Sequence, residues 1–283
     1  MGRFSQEERP IIFERINGLM MFWLFYLGVG AVAGVLAGLL GIGGGVILVP
    51  VFSFAFMAQQ FPEAYILHMA LGTSLATIIV TSISSFRAHH ARGAVNWEVV
   101  KTIAPGILLG TFSGAWVAAQ LSSRFLTIFF VCFLYYVATQ MLLNIRPSPA
   151  RSLPGRAGMF GVGGVIGGVS SLVGIGGGSL TVPFLSWCNQ SMHTAVGTSA
   201  AVGLPIAVAG ALGYLVNGLA VPDLPGATLG FIYLPALVGV AVASYLTAPF
   251  GVKLAHNLPV ARLKKVFAVF LLIMGTRLLL SFL

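Results

Sequence analysis

An all-α protein that crosses a membrane many times, built as two inverted repeats of about five helical segments each with Gly-rich re-entrant or broken helices, is the fold this sequence predicts. Three observations predict it. The chain is 58% hydrophobic and only 7% charged over 283 residues, with a mean hydropathy of +0.98, whereas a soluble domain carries about 25% charged residues. The pentapeptide GIGGG occurs twice inside apolar stretches, at residues 41–45 and 174–178, each time followed by Val-Pro (Val49-Pro50 and Val182-Pro183). Basic residues collect in the breaks between apolar runs, and they favour opposite breaks in the two halves of the chain.

The repeat extends well beyond the pentapeptide. GVGAVAGVLAGLLGIGGGVILVPVF at 28–52 aligns with GVGGVIGGVSSLVGIGGGSLTVPFL at 161–185, an offset of 174 minus 41, or 133 residues. HMALGTS at 68–74 aligns with HTAVGTS at 193–199, an offset of 193 minus 68, or 125 residues. An internal duplication therefore covers most of the chain. It divides into an amino-terminal tail 1–18, a first membrane repeat 19–143, a linker 144–158 rich in Pro and Arg, and a second membrane repeat 159–283. In the first repeat the helical segments are 19–40, 45–57, 68–86, 99–121 and 125–143; in the second they are 159–173, 178–187, 193–215, 228–250 and 263–282. Most approach the ~20 residues that span a bilayer. The segment 178–187 has ten residues before Cys188-Asn189-Gln190, which at about 1.5 Å per residue reaches about halfway through the hydrocarbon. The glycine turn that starts it is therefore expected at depth. The apolar run 19–40 is too long for a signal peptide and is read as a retained helix.

Loop charges set the orientation. The break between the third and fourth segments holds Arg87, Arg92 and Lys101 in the first repeat and only Asp223 in the second. The next break holds Arg124 alone in the first repeat, but Lys253, Arg262, Lys264 and Lys265 in the second. Equivalent loops thus face opposite compartments, as an odd number of segments per repeat requires, and the Arg-rich linker is cytoplasmic. The tail then lies outside; its Arg3, Arg9 and Arg15 oppose that placement, with Glu7, Glu8 and Glu14 among them. The net charge of +9 belongs to this loop pattern and to a lipid bilayer, not to nucleic acid.

Glycines at depth have a chemical use. Backbone that leaves the helix inside a bilayer must be buried in protein or line a cavity. A half-helix starting there aims free N–H groups and the positive end of its dipole into the interior, which suits an anion. The substrate-binding residues expected on this ground are Gly43, Gly44, Gly45, Gly176, Gly177 and Gly178, joined by the matched hydroxyls Thr73, Ser74, Thr198 and Ser199. The plainer reading of those hydroxyls is hydrogen bonding between helices. His68 and His193 stand five residues before Thr73 and Thr198, at matched positions, and serve either as interfacial caps or in gating and proton coupling. His89 and His90 read as part of a basic loop, Arg277 as reaching outward, and Gly30, Gly34 and Gly38 as a small-residue packing stripe.

The duplicated GIGGG with its Val-Pro, and the GTS downstream in each half, resemble the TauE/SafE family of sulfite exporter-like permeases over about residues 20–282. The resemblance implies a multi-pass protein of the bacterial cytoplasmic membrane that moves a small anionic sulfur compound, a sulfite or an organosulfonate. A passive anion-conducting pore is the alternative that a polar pathway leaves open. An enzyme is not expected: the acidic residues all lie in tails and breaks, and GTSA is not a GxSxG elbow. Neither HExxH nor CxxC occurs, so no metal and no cofactor is expected, and Cys132 and Cys188 read as small buried hydrophobes.

Overall fold

The computed structural model describes residues 8–40, 44–143, 151–257 and 260–282. Among these the chain forms helices α1 (Glu8–Leu40), α2 (Gly45–Ala58), α3 (Ile66–His90), α4 (Trp97–Gln120), α5 (Ser123–Leu142), α6 (Arg156–Val173), α7 (Gly178–Trp187), α8 (Met192–Gly218), α9 (Leu234–Asn257) and α10 (Val260–Phe282). A single short hairpin pairs β1 (Thr228–Leu229) with β2 (Ile232–Tyr233). Eight of the helices are long and apolar enough to cross a membrane; α2 and α7 are not among those eight. The protein is an all-α, multi-pass membrane protein.

Packing follows a simple exchange rule. α1 lies against α9, and its counterpart α6 lies against α4; α3 crosses α9 while α8 crosses α4; α2 rests on α3 while α7 rests on α8. α3 pairs with its own counterpart α8, and α5 with α10. Each of these contacts between halves therefore has a twin with the halves exchanged. α3 and α8 form the centre, with 83% and 67% of their spanning windows buried.

The outer pairs approach through glycine. Side chains added at Gly30, Gly34 and Gly38 of α1 would strike the backbone of Val240, Ser244 and Ala248 on α9. Gly106 and Gly110 of α4 meet Phe160 and Gly164 of α6 in the same way. Between apolar helices in lipid, such close approach supplies the dispersion contact that holds the pair, because burial from lipid supplies little.

The ends of the bundle are also matched. At one end the α3–α4 connection touches the start of α8, with Ala94 against Gly197 and the Asn96 N–H donating to Thr198 Oγ1 at 2.9 Å. The linker reaches the same end, where the Arg151 N–H donates to the Trp187 carbonyl at 3.3 Å and Leu153 and Pro154 adjoin Asn96 and Glu98. At the other end the start of α3 meets the α8–α9 connection, with Gly72 against Phe231 and the Tyr233 N–H donating to Thr73 Oγ1 at 3.0 Å.

Several boundaries differ from the expectation, each for a local reason. α3 continues to His90, placing His89 and His90 on its last turn. His89 is buried, with Nε2 3.2 Å from the Gly38 carbonyl, so it is not a loop residue. α9 begins at Leu234 rather than at 228, because Gly230 takes φ +55 in the hairpin and Pro235 suits the first turn of a helix. α6 begins three residues early, at Arg156. The linker residues 144–150 lie outside the described residues.

Candidate functional site at the two glycine turns

Each half-helix starts from a left-handed glycine. Gly44 has φ 79 and Gly177 φ 72, conformations that cost a side-chain-bearing residue roughly 1–2 kcal/mol. The Gly44 carbonyl accepts from the N–H groups of Ile47 and Leu48, and the Gly177 carbonyl from those of Leu180 and Thr181. Gly45, Val46, Gly178 and Ser179 thus supply the N–H groups that precede these ladders. Neither helix start receives a side-chain cap. By contrast α4, α5 and α8 are capped by Asn96, Ser122 and Ser191. Pro50 and Pro183 each stand at the sixth helical position, where they remove the helical hydrogen bond to the carbonyls of Val46 and Ser179.

The two turns touch. A Cβ on Gly45 would collide with the Gly174 carbonyl oxygen and come within 2.8 Å of Ile175 Cα. Gly174 in turn packs on Leu71 of α3 and Val49 of α2. The Gly176 carbonyl faces Gly203 of α8, beside Ser82 of α3. Gly44–Pro50 on one side and Val173–Ser179 on the other are buried throughout. Of the expected site residues, Gly45 meets the second turn directly, at Gly174 and Ile175, while Gly44 faces Ala33, Gly176 faces Gly203 and Gly177 faces Ile206. Gly43 lies outside the described residues.

The Thr-Ser pairs stand next to the turns but are engaged with backbone. Ser74 Oγ donates to the Gly174 carbonyl at 2.8 Å, tying α3 to the second turn. Ser199 Oγ donates to the Val196 carbonyl of its own helix at 2.8 Å. Thr73 and Thr198 accept the N–H of Tyr233 and of Asn96, the residues that immediately precede α9 and α4. Each threonine thus anchors the start of the fourth helix of the other half. His68 is buried, its Nε2 lying 3.2 Å from the Ala118 carbonyl and 3.0 Å from that of Leu121. Since carbonyls only accept, Nε2 carries the proton. Ser123 Oγ lies 3.3 Å from His68 Nδ1 and donates to the Ala64 carbonyl at 2.7 Å. This is a clasp between α3 and the α4–α5 corner. His193, its repeat partner, is exposed.

Other polar groups are peripheral or inert. Arg124 and Arg277 are exposed. Cys188 closes α7 and is buried; burial pushes its thiol up, and the nearby Arg151 only partly offsets that, so the thiol stays neutral and unreactive. Two of the clefts that adjoin the bundle are walled by described residues. One of about 600 Å³ between α3 and α9 is lined by apolar residues such as Ile79, Leu237 and Val242, and offers an anion nothing to bind. The other, about 440 Å³, lies between the starts of α4 and α6, with Lys101, Arg156, Glu98 and Asn96 in its wall.

Sequence reasoning passed over three hydroxyls. Ser170 at the end of α6 and Ser179 and Thr181 at the start of α7 are buried beside the second turn. The signal was present in the repeat alignment, since the first copy has Ala37, Val46 and Leu48 at those places.

Comparison with known proteins agrees with this architecture. The family model "Sulfite exporter TauE/SafE" matches residues 26–278, a range that contains both turns. The chain is 38% identical to a "Probable membrane transporter protein" of Haemophilus influenzae, over 93% of this chain and the whole of that protein. It is 28% identical to a "Probable membrane transporter protein" of Methanocaldococcus jannaschii, over 89% of this chain and 93% of that one. No solved structure matches. Two glycine turns meeting within a bundle of membrane-spanning helices, and a family match that runs through both, lead to one conclusion: this chain is a membrane transporter protein of the TauE/SafE family.

Proposed function

We propose that the protein is a secondary transporter for a small anionic sulfur compound, such as sulfite or an organosulfonate, and that the substrate is held where the two glycine turns meet. The observation that carries this reading is the pair of uncapped, buried half-helix starts, α2 and α7, with Gly45 at the start of α2 packed against Gly174 and Ile175 just ahead of α7. Two helix amino termini at depth favour negative charge without a fixed cation, so the anion can be released as well as bound. The family description supports a sulfur oxyanion as the cargo.

Burial of both turns favours a carrier over a passive pore. An open pore presents its binding residues to water, whereas Val173–Ser179 here are enclosed. Passage then requires the halves to move relative to each other about the α3–α8 centre, as carriers with inverted repeats do. In this reading the halves cross the membrane in opposite directions. The end bearing Arg92, Lys101, Arg151 and Arg156 is cytoplasmic.

The test is flux into proteoliposomes made with the purified protein, using sulfite, thiosulfate, sulfoacetate and taurine. The expected result is saturable uptake of at least one of them, accelerated when the same compound is loaded inside. Uptake that rises linearly with concentration for every compound, or equals that of protein-free vesicles, would overturn the reading.

A further inference from the structure

The duplicated turns are not chemically duplicated. Ser170 is fully buried, Thr181 is fully buried and Ser179 is 5% exposed, yet among the described residues none of their hydroxyl oxygens has a hydrogen-bond partner. Buried hydroxyls are nearly always paired, and each exception calls for an explanation. Here three exceptions surround a single turn.

Their placement is tightly fixed. The Ser170 carbonyl accepts the N–H groups of Gly174 and Ile175, which anchors Ser170 at the foot of the turn. Its Oγ stands 3.5 Å from where a Cβ on Gly177 would lie. Ser179 is the second residue of α7, and the Thr181 N–H donates to the Gly177 carbonyl at 2.7 Å. All three hydroxyls therefore belong to the one turn and a half of chain that flanks the uncapped amino terminus of α7.

Packing does not demand them. The first copy carries Ala37, Val46 and Leu48 at the equivalent positions, all three buried. A fold that accepts alkyl groups at these places in one half has no structural need for hydroxyls in the other. Three unpaired donors beside a helix amino terminus match a ligand whose atoms only accept, and a deprotonated oxyanion is such a ligand.

We propose that the transported oxyanion binds at the start of α7 alone, with Ser170, Ser179 and Thr181 donating to its oxygens, while the start of α2 at Gly45 and Val46 forms an apolar wall. This rests on the transport reading above and deepens it. One anion is bound per chain, despite the duplication. The ligand class is a small trigonal or tetrahedral oxyanion, including the sulfonate head of a larger molecule, because three neutral donors and a helix terminus lie within one short stretch of buried chain.

The experiment uses the full-length protein in proteoliposomes with labelled sulfite as the probe, beside thermal unfolding of the same preparations. A hydrogen bond to a charged group corresponds to about a tenfold change in affinity or more. Ser179→Ala combined with Thr181→Val is expected to raise the half-saturation concentration at least about tenfold with Tm unchanged or higher, since no protein partner is lost. Ser170→Ala alone is expected to raise it by a smaller factor. Ser186→Ala, at the far end of α7, is expected to leave it unchanged. Normal half-saturation in the double variant while the wild type shows saturable flux would overturn the site and spare the transport reading. A fall in Tm of the double variant would also overturn it, because the hydroxyls would then be structural. Absence of saturable wild-type flux would overturn both.

Discussion

The half-helices α2 and α7 begin alike and are held differently. Ten of the 14 residues of α2 are buried, against four of the ten of α7. The far end of α2 is enclosed by aromatic rings: Phe56 stacks on Phe52 and Phe61, and Tyr233 meets Phe56 edge-on. Gln59 donates to the Tyr26 hydroxyl at 2.8 Å and accepts from the Tyr233 hydroxyl at 3.3 Å. At the far end of α7, Trp187 is 38% exposed, with the Arg151 guanidinium 5.0 Å from its ring. A duplicated element has thus become a fixed apolar support in one half and a polar, lightly held one in the other. In a carrier with one binding site, such a division gives one turn the role of contact surface and the other the role of frame.

The comparison is most exposed to failure at the aromatic cage. Phe56→Ala removes a fully buried ring and should destabilise the protein by about 3–5 kcal/mol. Trp187→Ala, at an exposed position, should cost less than about 1 kcal/mol. Thermal unfolding in detergent checks both. Equal effects would show that the two half-helices are held alike.

A middle-sized effect should be the same in both halves. Thr73→Val and Thr198→Val each leave a backbone N–H, of Tyr233 or Asn96, without its acceptor, at a cost of about 1–3 kcal/mol. Unequal losses would mean that asymmetry reaches beyond the turns into the α3–α8 centre. The smallest perturbation comes from labels at exposed sites. Ala91→Cys and Ala220→Cys, with Cys132 and Cys188 replaced, should fold normally and react from opposite sides of the membrane, Ala91→Cys from the cytoplasm. Gly218 is unsuitable for this purpose, since any side chain there would strike Phe231 and Gly230. Labelling of both positions from one side would contradict oppositely directed halves.

Much of this was legible in the sequence, for reasons that differ by element. The start of α7 at Gly178 and its end at Trp187 could be read directly, because glycines and the polar Asn189-Gln190 bound it. The stripe Gly30, Gly34, Gly38 was recognisable from spacing alone. The Thr-Ser pairs were conspicuous because they repeat, but repetition marks what both halves share, and the halves share structural ties such as Thr73 to Tyr233 and Thr198 to Asn96. Ser170, Ser179 and Thr181 were less conspicuous because they break the repeat, and what marks them is burial without partners at places beside the second turn. His89 illustrates a third case. A histidine beside arginines reads as a loop, and only the packing of α1 against the end of α3 brings the Gly38 carbonyl within its reach.

The most direct test of the account is to locate the anion. Selenite replaces sulfite with little change in shape and carries a heavy scatterer, so a crystal of the wild-type protein grown with selenite reports its position through the selenium anomalous signal. The account predicts one peak per chain, within hydrogen-bonding reach of Ser179 and Thr181 at the start of α7. Equal peaks at the starts of α2 and α7, or a single peak in the cleft between Lys101 and Arg156, would contradict it.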